Sequence, residues 1–174
     1  MLVGWQALGQ WTGGFGAPPT EPHVDSGVTW QVDVAKARAM AAETGKPIFA
    51  RFSADWCGPC REMKRSVYPD PEVARLLSEE YVTLDVDLTH RDSPGNALAA
   101  EMGVQYLPTM AILRADGQPV DRLSGGIDRE TLTRWLKRHQ DVSPGARISR
   151  TDGRRFAAPS VERIAEFFCM VAQA

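Results

Sequence analysis

Apolar positions along the chain follow two periodicities, which together predict alternating strands and helices from residue 28 onward. Runs of alternating or continuous apolar residues predict strands at 28–32, 48–53, 81–88, 109–113 and 119–123. Apolar residues three and four positions apart predict helices at 33–44 and 61–67, and further helices that begin at Asp70, Ser93 and Asp128. The order βαβαβαββα predicts an α/β fold with a central sheet between helices, whose last two strands are joined by a tight Asp116-Gly117 turn.

The two ends of the chain differ from this periodic middle. Residues 1–27 contain six glycines and three prolines, a density that predicts a flexible arm without regular structure. After residue 140 a polar loop leads to Ser160, where an apolar stripe begins that predicts a final amphipathic helix. We therefore expect an arm at 1–27, an α/β domain at 28–140, and a loop with a C-terminal helical extension at 141–174. The helix at 160–172 either docks on its own domain or contacts a partner.

Composition and charge exclude several classes of function. The 174 residues include 20 Lys and Arg against 22 Asp and Glu, so the net charge of -2 gives no electrostatic reason to expect a nucleic acid partner. The longest candidate membrane stretch, residues 2–17, is interrupted by polar residues and glycines, which predicts no membrane span. No Lys or Arg precedes Lys36, so the basic region of an export signal is missing. If the chain begins at Met1, we expect a cytoplasmic protein.

Two of the three cysteines, Cys57 and Cys60, form a Cys-x-x-Cys pair between the 48–53 strand and the following helix. Residues three apart on a helix have Cα atoms ~5 Å from each other, within the ~4.4–6.8 Å that a disulfide needs. The helix N-terminus favours a thiolate, so we expect Cys57 to have a pKa below the ~8.5 of a free thiol and to act as the nucleophile. Cys60 would then resolve the mixed disulfide. Gly58 permits the sharp turn, and Pro59 fits the first helical turn.

The motif around this pair resembles the active-site signature of the thioredoxin superfamily. The resemblance is carried by Trp56-Cys57-Gly58-Pro59-Cys60 after an apolar strand and by Leu107-Pro108-Thr109 at the opening of a later one. It covers roughly residues 28–140 and implies a thioredoxin-like fold with a central mixed sheet. Within the superfamily, three stretches are similar to the C-terminal thioredoxin-like domain of transmembrane thiol:disulfide interchange reductases: 52–57, 70–73 and 84–89.

This resemblance implies a reductase of protein disulfides that needs no cofactor beyond a redox-active Cys57–Cys60 disulfide. It implies that Cys57 attacks, that Cys60 resolves, and that Trp56 flanks the nucleophile. Pro108 would be cis, and the backbone of Leu107 would pair with the substrate chain. The implied partners are disulfide-containing proteins and an upstream thiol electron donor. Because the similar domains work outside the cytoplasm, a periplasmic or exported protein is the alternative to a cytoplasmic one.

One position departs from the family pattern. Six residues before Cys57 the family commonly has a buried acid, but this chain has Arg51, and Thr83 occupies the position of the usual basic partner. A buried unpaired guanidinium is too costly, so Arg51 either pairs with Asp85 or Asp87 or reaches solvent at the edge. If Arg51 lies beneath the cysteines, it stabilises thiolates and raises the reduction potential, which makes the protein a weaker reductant.

Other functions of the cysteine pair stay open. A disulfide oxidase or isomerase has the same chemistry with a different redox poise, and a binding module would instead hand on copper or another soft ion. A structural zinc site is disfavoured, because zinc takes four ligands and the remaining candidates are scattered: His23, His90, His139 and Cys169. Cys169 is expected to be an inert buried thiol, with a regulatory or intermolecular disulfide as the alternative.

Overall fold

The structure, a computed structural model, describes residues 22–142 as six strands and five helices. The strands are β1 (His23–Asp25), β2 (Val28–Trp30), β3 (Ile48–Ser53), β4 (Val82–Asp87), β5 (Thr109–Leu113) and β6 (Pro119–Ser124). The helices are α1 (Val34–Thr44), α2 (Gly58–Ser66), α3 (Pro71–Glu80), α4 (Gly95–Glu101) and α5 (Arg129–His139).

The main sheet has the strand order β4-β3-β5-β6. Strand β3 is parallel to β4 and antiparallel to β5, and β5 is antiparallel to β6, so the sheet is mixed. The β5–β6 hairpin turns at Gly117, whose φ of 86° is the left-handed conformation that the Asp-Gly pair predicts. The expected thioredoxin-like α/β architecture, a mixed sheet flanked by helices, is confirmed.

A second, smaller sheet precedes the first helix. Strands β1 and β2 form an antiparallel hairpin whose two-residue turn, Ser26 and Gly27, has positive φ angles of 56° and 75°. The expectation that residues 1–27 lack regular structure is therefore wrong at 23–25; the part of the arm before residue 22 lies outside the described residues. Gln31 extends β2 along β4, because its N–H donates to the Thr83 carbonyl at 2.9 Å.

Three helices begin at aspartates where the sequence predicts a helix start, whereas α2 begins at Gly58 rather than at Arg61, and α4 departs as well. The carboxylates of Asp33, Asp70 and Asp128 accept backbone N–H groups in the first turns of α1, α3 and α5. Helix α4 starts at Gly95, without a side-chain cap, rather than at Ser93. Gly95 packs tightly there, since a Cβ on it would lie 2.5 Å from a methyl group of Val86.

The side chains of the main sheet pack into two different cores. We call one side the aromatic face: it is covered by α2, α3 and α5, and its rings are those of Trp30, Phe49, Tyr68, Tyr81 and Trp135. The other side, the aliphatic face, is covered by α1 and α4; its core includes Ala41, Ile48, Phe52, Leu84 and Leu98. Successive residues of β3 alternate between these faces, as the pleat of a strand requires.

Several expectations concern residues outside the described range. They are the C-terminal helical extension, the proposed contact through 160–172 and the state of Cys169. Within residues 22–142, no helix is long and apolar enough to cross a membrane.

Candidate active site

The cysteine pair lies at the junction of β3 and α2. Cys57 is the N-cap residue of α2, and its sulfur is bonded to that of Cys60, with the two Cα atoms 5.3 Å apart. Both cysteines are buried, whereas Gly58 and Pro59 between them are exposed. The Cys60 N–H donates to Cys57 Sγ at 3.2 Å. A helix N–H aimed at this sulfur favours the thiolate when the disulfide is reduced.

The segment before the pair is held by the loop that follows β4. The backbone N–H of Asp55 donates to Thr89 Oγ1 at 3.0 Å, and the Trp56 indole donates to the Thr89 carbonyl at 3.4 Å. The Asp87 carboxylate in turn accepts from the Thr89 N–H at 2.8 Å. Trp56 itself is 40% exposed beside Cys57. The indole is thus an anchored apolar surface next to the disulfide.

A second loop approaches the pair just before β5. We call residues 104–108 the proline loop, because the peptide bond between Leu107 and Pro108 is cis. Leu107 packs against the small buried cluster that contains both cysteines. The Pro108 carbonyl accepts the Gly125 N–H at 2.7 Å, and a Cβ built on Gly126 would lie 3.6 Å from Pro59 Cβ. The proline loop and the loop after β6 therefore both border the redox pair.

Arg51 lies in the interior of the aromatic face, with 1% of its surface exposed. Its Nε and Nη2 donate to the two carboxylate oxygens of Asp85 at 2.9 and 2.8 Å, and its Nη1 lies 3.0 Å from Asp25 Oδ2. The guanidinium carbon is 3.7 Å from the ring centroid of Trp30 and 5.3 Å from that of Tyr68. The structure thus places Arg51 in a bidentate, ring-stacked ion pair rather than at the solvent edge.

The register of β3 against β4 decides which acid pairs with Arg51. Asp85 lies directly opposite Arg51, whereas Asp87 is opposite Ser53 and holds Thr89. Thr83, at the position of the family's usual basic partner, donates its hydroxyl to a backbone carbonyl of β2. The alternative pairing with Asp87 is therefore not formed.

His23 completes the charge cluster, which we define as His23, Asp25, Arg51 and Asp85. His23 Nε2 lies 3.4 Å from Asp85 Oδ2. Burial alone would raise the pKa of Asp85, but the hydrogen bonds from Arg51 and His23 hold it well below its usual range. Burial would lower the pKa of Arg51, yet Asp85 raises it above its ordinary value. Arg51 and Asp85 are therefore both charged at neutral pH, in the interior of the protein.

Sequence reasoning missed the role of β1 in this cluster. Glycine and proline are frequent around His23 and Asp25, and this composition predicts a flexible arm. The Ser26-Gly27 pair was the available signal, since such dipeptides mark tight turns between strands. The consequence is electrostatic: Asp25 adds a second carboxylate to Asp85, which the sequence already offered as a partner, so two negative charges face the guanidinium of Arg51.

Two histidines of the described residues have carboxylate partners rather than cysteine partners. His23 belongs to the charge cluster, and His139 Nε2 lies 3.0 Å from Asp121 Oδ2 at the far end of α5. Between residues 22 and 142, no group of three His, Cys, Asp or Glu side chains could hold a metal ion.

Comparison with known proteins gives a consistent set of relatives. A model of the thioredoxin-like domain family matches residues 34–140. The thiol:disulfide interchange protein DsbD of Citrobacter koseri is 31% identical over 141 residues, which cover 80% of this chain and 24% of that protein. DsbD of Escherichia coli strain K12 is 31% identical over 144 residues, with 80% and 25% covered. The chain therefore spans about a quarter of the length of these curated relatives.

Solved structures of two kinds share the fold. A thioredoxin from Thermus thermophilus superposes with a TM-score of 0.57 and 28% identity, covering 64% of this chain and 86% of that one. The oxidised C-terminal domain of Neisseria meningitidis DsbD gives a TM-score of 0.54 and 26% identity, covering 63% and 97%. The resemblance drawn from the sequence is confirmed: the chain belongs to the thioredoxin-like domain family and is homologous to DsbD, a thiol:disulfide interchange protein.

Proposed function

We propose that this chain reduces protein disulfides by dithiol–disulfide exchange at Cys57 and Cys60. The observation that carries the proposal is the disulfide itself, at a helix N-terminus where a backbone N–H donates to Cys57 Sγ. Homology to thiol:disulfide interchange proteins supports the same chemistry. The helix N-terminus stabilises a Cys57 thiolate, and the two loops border the pair where a substrate would bind. Both features fit a reactive disulfide better than one that only links two segments of the fold.

The reaction begins with both cysteines reduced. The Cys57 thiolate attacks one sulfur of the substrate disulfide, which forms a mixed disulfide and releases the first substrate thiolate to take up a proton. Cys60, deprotonated, then attacks Cys57 Sγ, which re-forms the Cys57–Cys60 bond and releases the second substrate thiol. Two electrons pass to the substrate, so an upstream dithiol must reduce the pair before the next cycle.

The residues around the pair have separate roles in this proposal. Gly58 and Pro59 form the exposed turn between the two cysteines. Trp56 offers an apolar surface beside the nucleophile, and the proline loop, through Leu107 and Pro108, offers the backbone edge against which a substrate segment lies. Arg51 contacts neither sulfur in this scheme and acts only through the electrostatic environment of α2.

We also propose that the chain works in the periplasm. The C-terminal domains of DsbD proteins are periplasmic, so similarity to them favours this alternative, and the cytoplasmic location expected from the sequence has no support among these relatives. Cell fractionation with periplasmic and cytoplasmic marker enzymes tests this directly, because the chain should follow the periplasmic marker.

Reduction of insulin in the presence of dithiothreitol tests the reaction. We expect Cys57→Ser to abolish the catalysed rate. We expect Cys60→Ser, reduced beforehand and then mixed with insulin after dithiothreitol has been removed, to accumulate a mixed disulfide with the substrate, because the nucleophile remains and the resolving thiol is lost. The control Cys169→Ser should retain the rate. A mixed disulfide that forms on Cys60 in Cys57→Ser would contradict the assigned roles.

The reduction potential decides the direction of transfer. Equilibration with glutathione buffers and thiol trapping should give a value near or below about -230 mV for a reductase. A value near or above about -180 mV would instead identify an oxidase or isomerase. Absence of a reversible bridge, together with binding of copper, would favour the metal-handover alternative.

A further inference from the structure

Large apolar side chains are rarely exposed in the described part of the chain, and two of those exposed are sequence neighbours of residues in the redox site. Among residues 22–142 the exposed large apolar side chains are Val24, Met40, Trp56 and Tyr106. Val24 is on β1 and Met40 on α1, and neither element belongs to the cysteine cluster. Trp56 precedes the nucleophile, and Tyr106, at 67% exposure, precedes Leu107, which packs on the cysteine cluster. Single exposed apolar residues need no explanation, but one on each of the two segments that border a reactive disulfide calls for one.

The backbone that carries Tyr106 is held in place. Thr109 is fully buried and its Oγ1 donates to the Tyr106 carbonyl at 2.7 Å, while the same hydroxyl lies 3.0 Å from Ser124 Oγ of β6. Val104, two residues before Tyr106, is buried at 3% exposure. The ring of Tyr106 is thus exposed on a loop whose neighbours on both sides are anchored in the core.

The start of the proline loop is fixed as well. Arg122 of β6 donates through Nη1 to the carbonyls of Met102 and Gly103, at 2.7 and 2.8 Å, where α4 ends. A cation on the terminal carbonyls of a helix is favoured by the helix dipole. Contacts from β6 therefore secure both ends of the segment that presents Tyr106.

We propose that Tyr106 is a specificity-determining residue that selects substrate segments with an aromatic or large aliphatic side chain beside the attacked cysteine. The proposal rests on the function proposed above and names the substrate class of that site. Tyrosine offers a large apolar area with few rotatable bonds, and a fixed backbone lowers the entropy lost on binding. The occupant is an extended segment of a substrate protein, since Cys57 must reach its disulfide while Trp56 and Tyr106 cover adjacent side chains.

Two synthetic peptide dimers test this selectivity. Each consists of two identical extended peptides joined by one disulfide, so that either sulfur is equivalent, with Phe on both sides of the cysteine in one dimer and Ser in the other. We expect the wild-type chain, recycled by dithiothreitol, to reduce the Phe dimer with a kcat/KM about tenfold higher, which corresponds to about 1.4 kcal/mol. Oxidised glutathione, which has no apolar side chain, serves as the small substrate.

Variants of exposed residues show whether the aromatic ring of Tyr106 is responsible for the preference. Tyr106→Ala should lose the preference for the Phe dimer and keep its rate with oxidised glutathione within about twofold, because the cysteines are untouched. Tyr106→Phe, which keeps the ring, should retain the preference. Met40→Ala, which removes a side chain 39% exposed on α1, is the matched control and should also retain it.

Several outcomes overturn the inference. Retention of the Phe preference in Tyr106→Ala does so directly, and an equal loss on both dimers and on glutathione means that Tyr106 positions the loop rather than selecting the substrate. If Tyr106 covers a second copy of the chain instead, Tyr106→Ala changes the sedimentation coefficient and leaves the preference intact. A wild-type chain that reduces none of the three substrates refutes the proposed function itself, an outcome separate from these.

Discussion

The two faces of the central sheet bury different kinds of side chain. On the aliphatic face, α1 and α4 close over small and branched side chains such as Ala50 and Leu98. On the aromatic face, Phe49 and Arg51 lie among aromatic rings. The Arg51–Asp85 ion pair is buried there, in a position that apolar side chains fill on the other face. The redox helix α2 packs on this second face. The aliphatic face thus holds apolar packing, whereas the aromatic face holds both the buried ion pair and the side of α2 that packs on the sheet.

Removal of Arg51 should break this arrangement with the largest effect. Arg51→Met leaves Asp85 charged, 6% exposed and without its bidentate partner, so we expect a loss of about 3–5 kcal/mol in the free energy of unfolding. The double variant Arg51→Met/Asp85→Leu should recover most of that loss, because no unpaired charge is then buried between the strands. Urea denaturation with the Cys57–Cys60 bond intact measures both.

An exposed ion pair supplies the control for this experiment. Arg75 Nη1 lies 2.7 Å from Glu79 Oε2 on the surface of α3, as short as the contacts of Arg51. Arg75→Met should cost less than about 1 kcal/mol, since solvent already screens the pair. If Arg75→Met and Arg51→Met lower the free energy of unfolding equally, burial does not increase the cost of removing one charge from an ion pair.

The contrast between the two regions also explains which parts the sequence could predict. The cysteine pair is local: strand, turn and helix N-terminus follow one another from Ile48 to Ser66, so pattern and spacing are sufficient. The charge cluster is not local, because it joins β1, β3 and β4 across more than 60 positions, from His23 to Asp85. The choice between Asp85 and Asp87 depends on strand register, which the apolar pattern of β4 alone does not reveal.

The two phenylalanines of β3 lie on opposite faces of the sheet, so their substitution compares the packing energies of the two faces within one strand. Phe49 and Phe52 are both fully buried, but Phe49 has four aromatic neighbours with ring centroids 6.0 to 6.5 Å away: Trp30, Tyr68, Tyr81 and Trp135. We expect Phe49→Leu to lower the free energy of unfolding by about 1 kcal/mol more than Phe52→Leu, because edge-to-face ring contacts are lost as well as buried area. Thermal or urea unfolding of the two variants decides this, and equal costs would contradict it.

The smallest expected effect concerns the redox potential. Arg51 faces two carboxylates, so their negative charges partly cancel its electrostatic effect on the thiolates. Removal of one carboxylate should increase that effect. Asp25 is the suitable target, because its side chain is 30% exposed and its loss leaves the Arg51–Asp85 pair intact. Asp25→Asn makes the charge cluster more positive, which stabilises the reduced thiolates and should raise the potential on the order of 10 mV.

The control for this measurement is a carboxylate of the same charge on the other side of the sheet. Glu43→Gln, at an exposed position of α1, changes the net charge by the same amount without touching the charge cluster. Titration of both variants against glutathione buffers should therefore separate a local effect from the overall charge of the molecule. If Asp25→Asn leaves the potential where Glu43→Gln does, or lowers it, the charge cluster is a structural device of the aromatic face and does not tune the cysteines.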